Sequence, residues 1–427
     1  MAKNDGLTVK GVLITACKRF LIVLKWLVVG FVIGLIVGAI SAAFSFCLSH
    51  VTELRTRYPY IVYGLPIAGI AIVALYKIAF KDKDLGTNGV ITSIWSEPDV
   101  PAKMGPLIFI STTLTHMFGG SAGREGAALQ LGGSLGCFLG RIFKVNKYDR
   151  KIMLMAGMSA AFAALFGTPM AAAVFALEAA TVGSMYIASL LPCVVAAIVA
   201  CQFSASLGIS PESFPITDVP EFGLMNGLKI VLLALLVGVV SMMFCFMMKY
   251  VKVYMEKWIK NPFLRVLAAS GVFLIITALI GVDDYYGAGI DVIERAVMEG
   301  QAAPYAFILK MFLTALILGA GFKGGEIVPS FFVGATFGCV CGHILGISPG
   351  LCAAMGMTAM FCGITNCPIT SMLISFELFG FECVPFIVLT AAVSFVASGY
   401  TGIYSAQRFM YSKYRPKFKD TDIERIN

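Results

Sequence analysis

The sequence predicts an all-α polytopic membrane protein, built from two inverted repeats whose helices are broken in places. Three observations support this fold class. Hydrophobic residues make up 59% of the 427 positions and charged residues only 13%, which is far from the composition of a soluble domain. Several apolar runs are long enough to cross a bilayer. One characteristic pattern of residues also recurs at a fixed distance along the chain.

The apolar runs at residues 26–46 and 230–248 predict two membrane-spanning helices, because roughly 20 apolar residues are needed to cross the hydrocarbon core. Residues 61–76 are interrupted by glycine and proline, which predicts a broken or tilted helix. Irregular backbone at membrane depth is tolerated only where protein buries it or a watery cavity hydrates it. The interruption therefore predicts an internal pathway.

The distribution of charge predicts that both ends of the chain are cytoplasmic, since lysine and arginine mark the cytoplasmic side of membrane proteins. The basic residues concerned are Lys3, Lys10, Lys18, Arg19 and Lys25, against Asp5, and then Arg408, Lys413, Arg415, Lys417, Lys419 and Arg425. The predicted organisation is a cytoplasmic segment at 1–26, membrane repeats at 27–210 and 211–406, and a short cytoplasmic tail at 407–427. The net charge of +8 reflects this orientation in a lipid bilayer, and no nucleic acid partner is expected.

Cysteine and histidine predict neither a metal site nor a cofactor. The 12 cysteines lie mostly in apolar stretches without paired ligand spacing, and the histidines His50, His116 and His343 are scattered. The sequence offers no nucleophile and base set and no nucleotide loop. An enzyme is therefore not expected.

The recurring pattern is the most informative regularity in the chain. Residues 154–178 align without gaps with residues 353–377, an offset of 199 that pairs Pro169 with Pro368 and Glu178 with Glu377. We expect these two glutamates to brace the repeated helices. The same offset places the polar loop around Arg124 and Gly126 on Lys323 and Gly325. Repeats in transporters commonly have inverted topology with the substrate site between them.

Two glycine-rich segments, residues 119–136 and 319–334, each lead into an apolar helix and predict an anion site. Free amides at a helix start and the positive end of the helix dipole both favour an anion. Close helix packing is the alternative explanation for the glycines. Packing alone does not explain Glu125 and Glu326, because an acid near the bilayer centre costs roughly 2.5–3.5 kcal/mol on insertion scales. An ionised carboxylate there can occupy the place of the anion and act as gate and proton carrier.

Four segments resemble motifs of the CLC family of chloride channels and proton-coupled anion exchangers, over almost the whole membrane region. They are residues 123–126 (Gly-Arg-Glu-Gly), similar to the gating-glutamate motif; 161–178, similar to a helix ending in Pro-x-x-x-x-x-Phe-x-x-Glu; 286–290, similar to a Gly-x-Gly stretch; and 403–406, similar to the segment with the tyrosine that faces the central anion. The resemblance implies a CLC-type fold and a homodimer.

Three departures from the usual family pattern indicate a branch. Asn88 stands where the first anion-binding loop normally has serine, Glu326 stands where chloride-transporting members have an apolar residue, and Ala179 stands where many exchangers carry an internal proton-transfer glutamate. Together they resemble the branch that exports fluoride in exchange for protons. Val328 differs from the hydroxyl-bearing residue of some fluoride exporters. A chloride/proton exchanger or a passive chloride channel of the same fold remains the alternative.

The resemblance implies roles for individual residues. Glu125 and Glu326 would gate the pathway and couple it to protons, and the anion-binding residues would be Asn88, Gly123, Gly126, Ile327, Val328 and Tyr404. Two of these have simpler explanations, because Asn88 suits a turn in a flexible loop and Tyr404 suits a membrane interface. The implied partners are fluoride, with chloride as second candidate, and protons. The expected location is the cell (plasma) membrane.

Overall fold

The computed structural model describes residues 9–80, 85–96, 100–216, 218–415 and 418–422. Lys3, Asp5, Lys417 and Arg425, which entered the prediction of cytoplasmic termini, lie outside these ranges. The described chain is mostly helical, so the predicted fold class is confirmed.

Each repeat contributes eight α-helices within the described ranges, in matching order. The first repeat has α1 (Val9–Arg57), α2 (Leu65–Phe80), α3 (Gly86–Trp95), α4 (Met104–Met117), α5 (Glu125–Ile142), α6 (Lys147–Phe166), α7 (Pro169–Glu178) and α8 (Leu190–Ser206). The second has α9 (Leu224–Trp258), α10 (Pro262–Ile280), α11 (Ile290–Glu294), α12 (Ala306–Ala320), α13 (Ile327–Leu345), α14 (Pro349–Thr365), α15 (Pro368–Phe379) and α16 (Val384–Ala397).

Six helices of the described chain are long and apolar enough to cross a membrane, by length and composition. The predicted spans at 26–46 and 230–248 lie within α1 and α9 and are confirmed as helical. The boundary placed after residue 26 falls inside the continuous helix α1, whereas the boundary after residue 210 falls in the extended linker between α8 and α9. The predicted break in 61–76 is a 3-10 turn, Pro59–Gly64, that leads directly into α2.

The end of α6 shows why the repeated motif breaks each helix at the same point. Gly167 adopts a left-handed conformation, with φ of 73°, and its N–H donates to the Ala163 carbonyl. Pro169 then begins α7, where its missing N–H costs nothing. In the second repeat Asn366 takes the left-handed position, with φ of 57°, and Pro368 begins α15. Both pairs of helices are therefore separated by two residues and turn sharply.

Glycines inside α5 and α13 pack these helices against α6 and α14. A Cβ on Gly132 would overlap the carbonyl oxygen of Gly157, and a Cβ on Gly334 would overlap that of Gly356. The packing explanation is thus correct for these helical glycines. Gly157 and Gly356 are 199 residues apart, but Gly132 and Gly334 are 202 apart. The prediction of one offset for both landmarks is wrong, because Gly132 and Gly157 lie 25 residues apart whereas Gly334 and Gly356 lie 22 residues apart.

The C-terminal residues form a small sheet on the first repeat. Strand β1 (Thr181–Val182) pairs in parallel with β2 (Arg408–Tyr411), which pairs antiparallel with β3 (Phe418–Asp422). Gln407 adds side-chain hydrogen bonds to the carbonyls of Ala179 and Thr365, at 3.0 and 2.8 Å. The segment predicted as a tail is therefore attached to both repeats.

Candidate functional site

The two glycine-rich loops meet between the repeats. Gly123 N–H donates to the Gly325 carbonyl at 2.6 Å, and Gly325 N–H donates to the Gly123 carbonyl at 2.7 Å. This antiparallel bridge places the N-terminus of α5 beside that of α13. A Cβ on Gly325 would lie 2.6 Å from the nitrogen of Gly126, so only glycine permits this approach.

Glu125 begins α5, and its carboxylate folds back over the preceding loop. The side chain is 1% exposed, and its Oε2 accepts a hydrogen bond from the Arg124 N–H at 2.9 Å. A Cβ on Gly123 would lie 2.5 Å from this oxygen. Oε1 has no hydrogen-bond partner within the described part of the chain, and the Arg124 Nε lies 3.7 Å away from it. The carboxylate thus lies at the helix start with one oxygen left to bind a proton.

Glu326 precedes α13 and reaches across to the other repeat. A Cβ on Gly126 would lie 3.1 Å from Glu326 Oε2, so this carboxylate lies against the first turn of α5. It is also within electrostatic range of Glu125. The two predicted gating acids therefore share one site, with a carboxylate from each repeat beside the N-terminus of α5.

The predicted backbone donors are brought together, but not all of their N–H groups are available. Ile327 and Val328 form the first turn of α13, where an N–H has no acceptor within the helix. Gly126 has the same position in α5. The N–H of Gly123 already donates to the Gly325 carbonyl, so Gly123 is not available as a donor to an anion. It supports the site by allowing the two loops to approach each other.

Tyr404 and Asn88 are both positioned near the segment that follows α16. Tyr404 is 1% exposed, its hydroxyl has no hydrogen-bond partner among the residues described, and it is within electrostatic range of Glu326 and Glu125. Asn88 lies in the first turn of α3, so the alternative of a turn in a flexible loop is wrong. Its Oδ1 accepts from the Ala406 N–H at 3.2 Å, which leaves the amide nitrogen as the end that can donate to an anion.

A buried lysine, which sequence analysis did not single out, fixes the Gly-x-Gly stretch beside the site. Lys310 is fully buried, and its Nζ donates to the Gly287 carbonyl at 2.7 Å and to the Tyr285 carbonyl at 3.3 Å. It also lies 5.1 Å from the centroid of the Phe332 ring, a cation–π contact. Gly287 N–H in turn donates to the Gly119 carbonyl at 3.3 Å. The sequence signal that could have identified Lys310 was a single charged residue within an apolar stretch.

Two cavities are lined by both Arg124 and Glu212. A vestibule of about 920 Å³ lies near the C-terminal end of α1 and extends to Arg124 and Glu212. A much smaller cavity, about 20 Å³, is lined by Glu125 and Val328 and also by Arg124 and Glu212. The smaller space holds about one water molecule. Glu212 in the linker between the repeats was also missed, because nothing in the local sequence distinguishes it from a solvated acid.

The family profile described as "Voltage gated chloride channel" matches residues 69–399. The chain belongs to this CLC family. It is therefore an ion-transport protein of the membrane and not an enzyme.

Individual CLC proteins show how far the similarity extends. A chloride/fluoride channel protein of Pseudomonas syringae pv. tomato is 37% identical over 399 residues, covering 92% of this chain and 88% of the relative. The crystal structure of a CLC-type fluoride/proton antiporter superposes with a TM-score of 0.87 and 31% identity, covering 90% of this chain and 98% of the other. A slow cyanobacterial Cl⁻/H⁺ antiporter shares the fold, with a TM-score of 0.76 and 18% identity over 88% of this chain and 94% of the other.

Proposed function

We propose that this CLC protein exports fluoride in exchange for protons. The observation that carries the proposal is the second carboxylate, since Glu326 lies against Gly126 in the site that already contains Glu125. A carboxylate repels an anion when it is ionised, but a protonated carboxyl group becomes an O–H donor. Two acids at one anion site therefore favour an anion that arrives together with protons.

The chemistry of fluoride suits such a site better than that of chloride. Fluoride is small, strongly hydrated and a strong hydrogen-bond acceptor, so it needs strong donors to replace its water. The protonated acids, the Asn88 amide and the Tyr404 hydroxyl are such donors. The cavity of about 20 Å³ beside Glu125 also suits an ion about the size of water. The antiporter structure with 31% identity, described as a fluoride/proton antiporter, supports the same choice.

The proposed cycle uses Glu125 as a moving gate. The ionised carboxylate occupies the place of the anion at the start of α5. When it takes a proton from outside, it leaves that place to a fluoride ion that has passed Asn88 and Tyr404 from the cytoplasm. Glu326 then accepts the proton from Glu125, and the proton is released inward. The ionised Glu125 returns to its place at the start of α5, and fluoride leaves outward. Both movements are driven by an inside-negative potential, by about 2.3 kcal/mol per charge per 100 mV.

We further propose that the protein works as a homodimer in the cell membrane with both termini cytoplasmic. The basic residues near both ends support this orientation. With the N-terminus of α1 inside, the vestibule near its C-terminal end opens to the outside. Asn88 and Tyr404 then face the cytoplasmic side, together with the C-terminal sheet.

Reconstitution in lipid vesicles tests the function directly. Fluoride release is followed with an ion-selective electrode while internal pH is recorded, and the experiment is repeated with chloride. We expect fluoride efflux to drive protons uphill, with much slower chloride flux. Glu125→Gln should abolish proton movement, whereas Glu294→Gln, at an exposed position, should leave it unchanged. Chloride flux that exceeds fluoride flux would instead support the chloride exchanger, and chloride flux without proton movement would support the channel.

A further inference from the structure

Arg124 interacts with two carboxylates at once, and they compete for it. Its Nη2 donates to Glu212 Oε1 at 2.6 Å, whereas its Nε lies 3.7 Å from Glu125 Oε1, too far for a hydrogen bond. The contact with Glu212 is a charge-assisted hydrogen bond, about twice as strong as a neutral one. The guanidinium is therefore held at its Nη2 by Glu212, together with the Leu165 carbonyl at 3.4 Å, and it makes no hydrogen bond with Glu125.

Glu212 is positioned by both repeats. Its N–H donates to the Phe166 carbonyl at the end of α6, at 3.1 Å, and the nearby Phe214 N–H donates to the Leu378 carbonyl of α15, at 2.7 Å. The linker is thus attached on both sides of the repeat boundary. Its carboxylate remains 22% exposed, so it stays in contact with solvent.

The Arg124–Glu212 pair lies between the vestibule and the gate. Both residues line the vestibule of about 920 Å³ and also the cavity of about 20 Å³ beside Glu125. A proton that moves from the vestibule to Glu125 Oε1 therefore passes this ion pair. No hydrogen bond from Glu212 to Glu125 is needed, since Arg124 connects them.

We propose that Glu212 is a positioning residue that sets the pH at which the gate opens. By holding Arg124, it prevents a close ion pair between Arg124 and Glu125, which would stabilise the ionised, closed gate. Its negative charge also favours the protonated form of Glu125. Loss of the Glu212 charge favours the ionised form of Glu125 through both effects. A lower pH is then needed to protonate Glu125 and open the gate.

Six other acidic or basic residues of the described chain line the vestibule. They are Glu53, Arg55, His116, Asp283, Asp284 and Asp291. Asp284 pairs with Arg295 at 2.5 Å, and the His116 Nε2 contacts the Gly123 carbonyl at 3.2 Å. Among the vestibule acids, Glu212 is the one with a described ion pair to Arg124. It is therefore distinguished from the general negative charge of the vestibule.

The inference rests on the proposed gating role of Glu125, and its test does not require proton coupling. Anion efflux from vesicles is measured with equal pH on both sides, from pH 4.5 to 8, using fluoride and chloride separately. In Glu212→Gln we expect the pH of half-maximal efflux to fall by about half a unit or more, from the loss of one nearby charge. Maximal efflux at acidic pH should be preserved. Glu212→Asp should keep the wild-type profile.

Three comparisons make the result decisive. Asp283→Asn removes one vestibule charge without touching Arg124, and an equal shift in that variant would overturn the proposal. In a Glu125→Gln background, Glu212→Gln should cause no shift. A uniform loss of efflux at every pH, or a wild-type rate that does not depend on pH, would also refute it. Glu212→Ala serves as the second variant if Glu212→Gln does not yield folded protein.

Absence of proton movement in the wild type contradicts the antiport proposal alone, because a passive gated channel would still show the shift.

Discussion

Glu178 and Glu377 each stabilise the first turn of a helix in the opposite repeat. Glu178, at the end of α7, accepts from the N–H groups of Ile369 and Thr370 in α15, at 3.2 and 2.9 Å. Glu377 in α15 accepts from Met170 and Ala171 in α7, at 2.8 and 2.9 Å. This reciprocal arrangement follows from the twofold relation of the repeats. The expected bracing role of the two glutamates is confirmed.

Glu178→Gln should lower stability and leave ion coupling unchanged. A glutamine has one oxygen acceptor where the carboxylate has two, so an N–H or the Thr370 hydroxyl at the start of α15 loses its partner. We expect a loss of about 1–3 kcal/mol, the cost of an unsatisfied buried group. Thermal unfolding in detergent measures it, with Glu382→Gln as an exposed control. Unchanged stability together with an altered proton-to-anion ratio would instead assign Glu178 to proton transfer.

The glycines of the two loops should respond differently to alanine. In Gly123→Ala the new Cβ meets the side-chain carboxylate of Glu125 at 2.5 Å, whereas in Gly325→Ala it meets the backbone nitrogen of Gly126 at 2.6 Å. We expect Gly123→Ala to displace the gate and raise anion efflux at neutral pH several-fold. Gly325→Ala should destabilise the protein by about 1–3 kcal/mol, as overpacking does.

Efflux assays and thermal unfolding of both variants check this pair of outcomes. Gly271→Ala provides the matched control, because no heavy atom lies within 4 Å of its added Cβ. The account of the gate fails if Gly123→Ala retains the wild-type pH dependence of efflux at normal stability.

Tyr404→Phe should weaken anion binding without destabilising the protein. The hydroxyl it removes has no partner in the described structure, so no hydrogen bond within the protein is lost. If the hydroxyl donates to the anion, its loss costs about 0.5–1.5 kcal/mol, or roughly a 2- to 10-fold rise in KM. Tyr400→Phe is the converse control, since the Tyr400 hydroxyl bonds the Ser412 Oγ at 2.8 Å. An unchanged KM for Tyr404→Phe would remove the hydroxyl from the anion site.

Lys413, in the C-terminal segment, should make the free energy of unfolding depend on pH in the alkaline range. Its Nζ donates to Asn366 Oδ1 at 2.6 Å and to the Phe395 carbonyl at 2.8 Å. Burial lowers the pKa of Lys413 from 10.5 to about 8, against the opposing effect of nearby cysteine thiols. The unfolded chain therefore binds more protons than the folded protein between these two values, so stability rises with pH across this window.

Comparison with Lys413→Met isolates this contribution. The difference in thermal midpoint, wild type minus variant, should be constant below pH 8 and should increase as pH rises from about 8 to 10.5. Lys257→Met, at an exposed position, should show no such trend. A difference that falls over this range would mean that the charged form is favoured in the folded protein.

The sequence by itself predicted two long helices, the repeat and the two acids proposed to gate the pathway. Apolar length predicts α1 and α9, because this signal acts over neighbouring residues. The resemblance of residues 161–178 to one helix did not predict the break before Pro169, which the left-handed Gly167 followed by proline explains. The aligned Glu178 and Glu377 predicted their shared structural role. Glycines followed by an acid at a helix start predicted the position of Glu125 in the same local way.

Only the tertiary structure decided how these parts meet. The bridge between Gly123 and Gly325, the approach of Glu326 to Gly126, and the pairing of Arg124 with Glu212 join residues 88 to 202 positions apart. The two glycine landmarks are three residues further apart in the first repeat, which shifts the register from 199 to 202, and a gap-free comparison cannot reveal this. Such contacts depend on the packing of whole helices across the repeat boundary. No local pattern of residues encodes that packing, and it decides which amide is free and which acid holds Arg124.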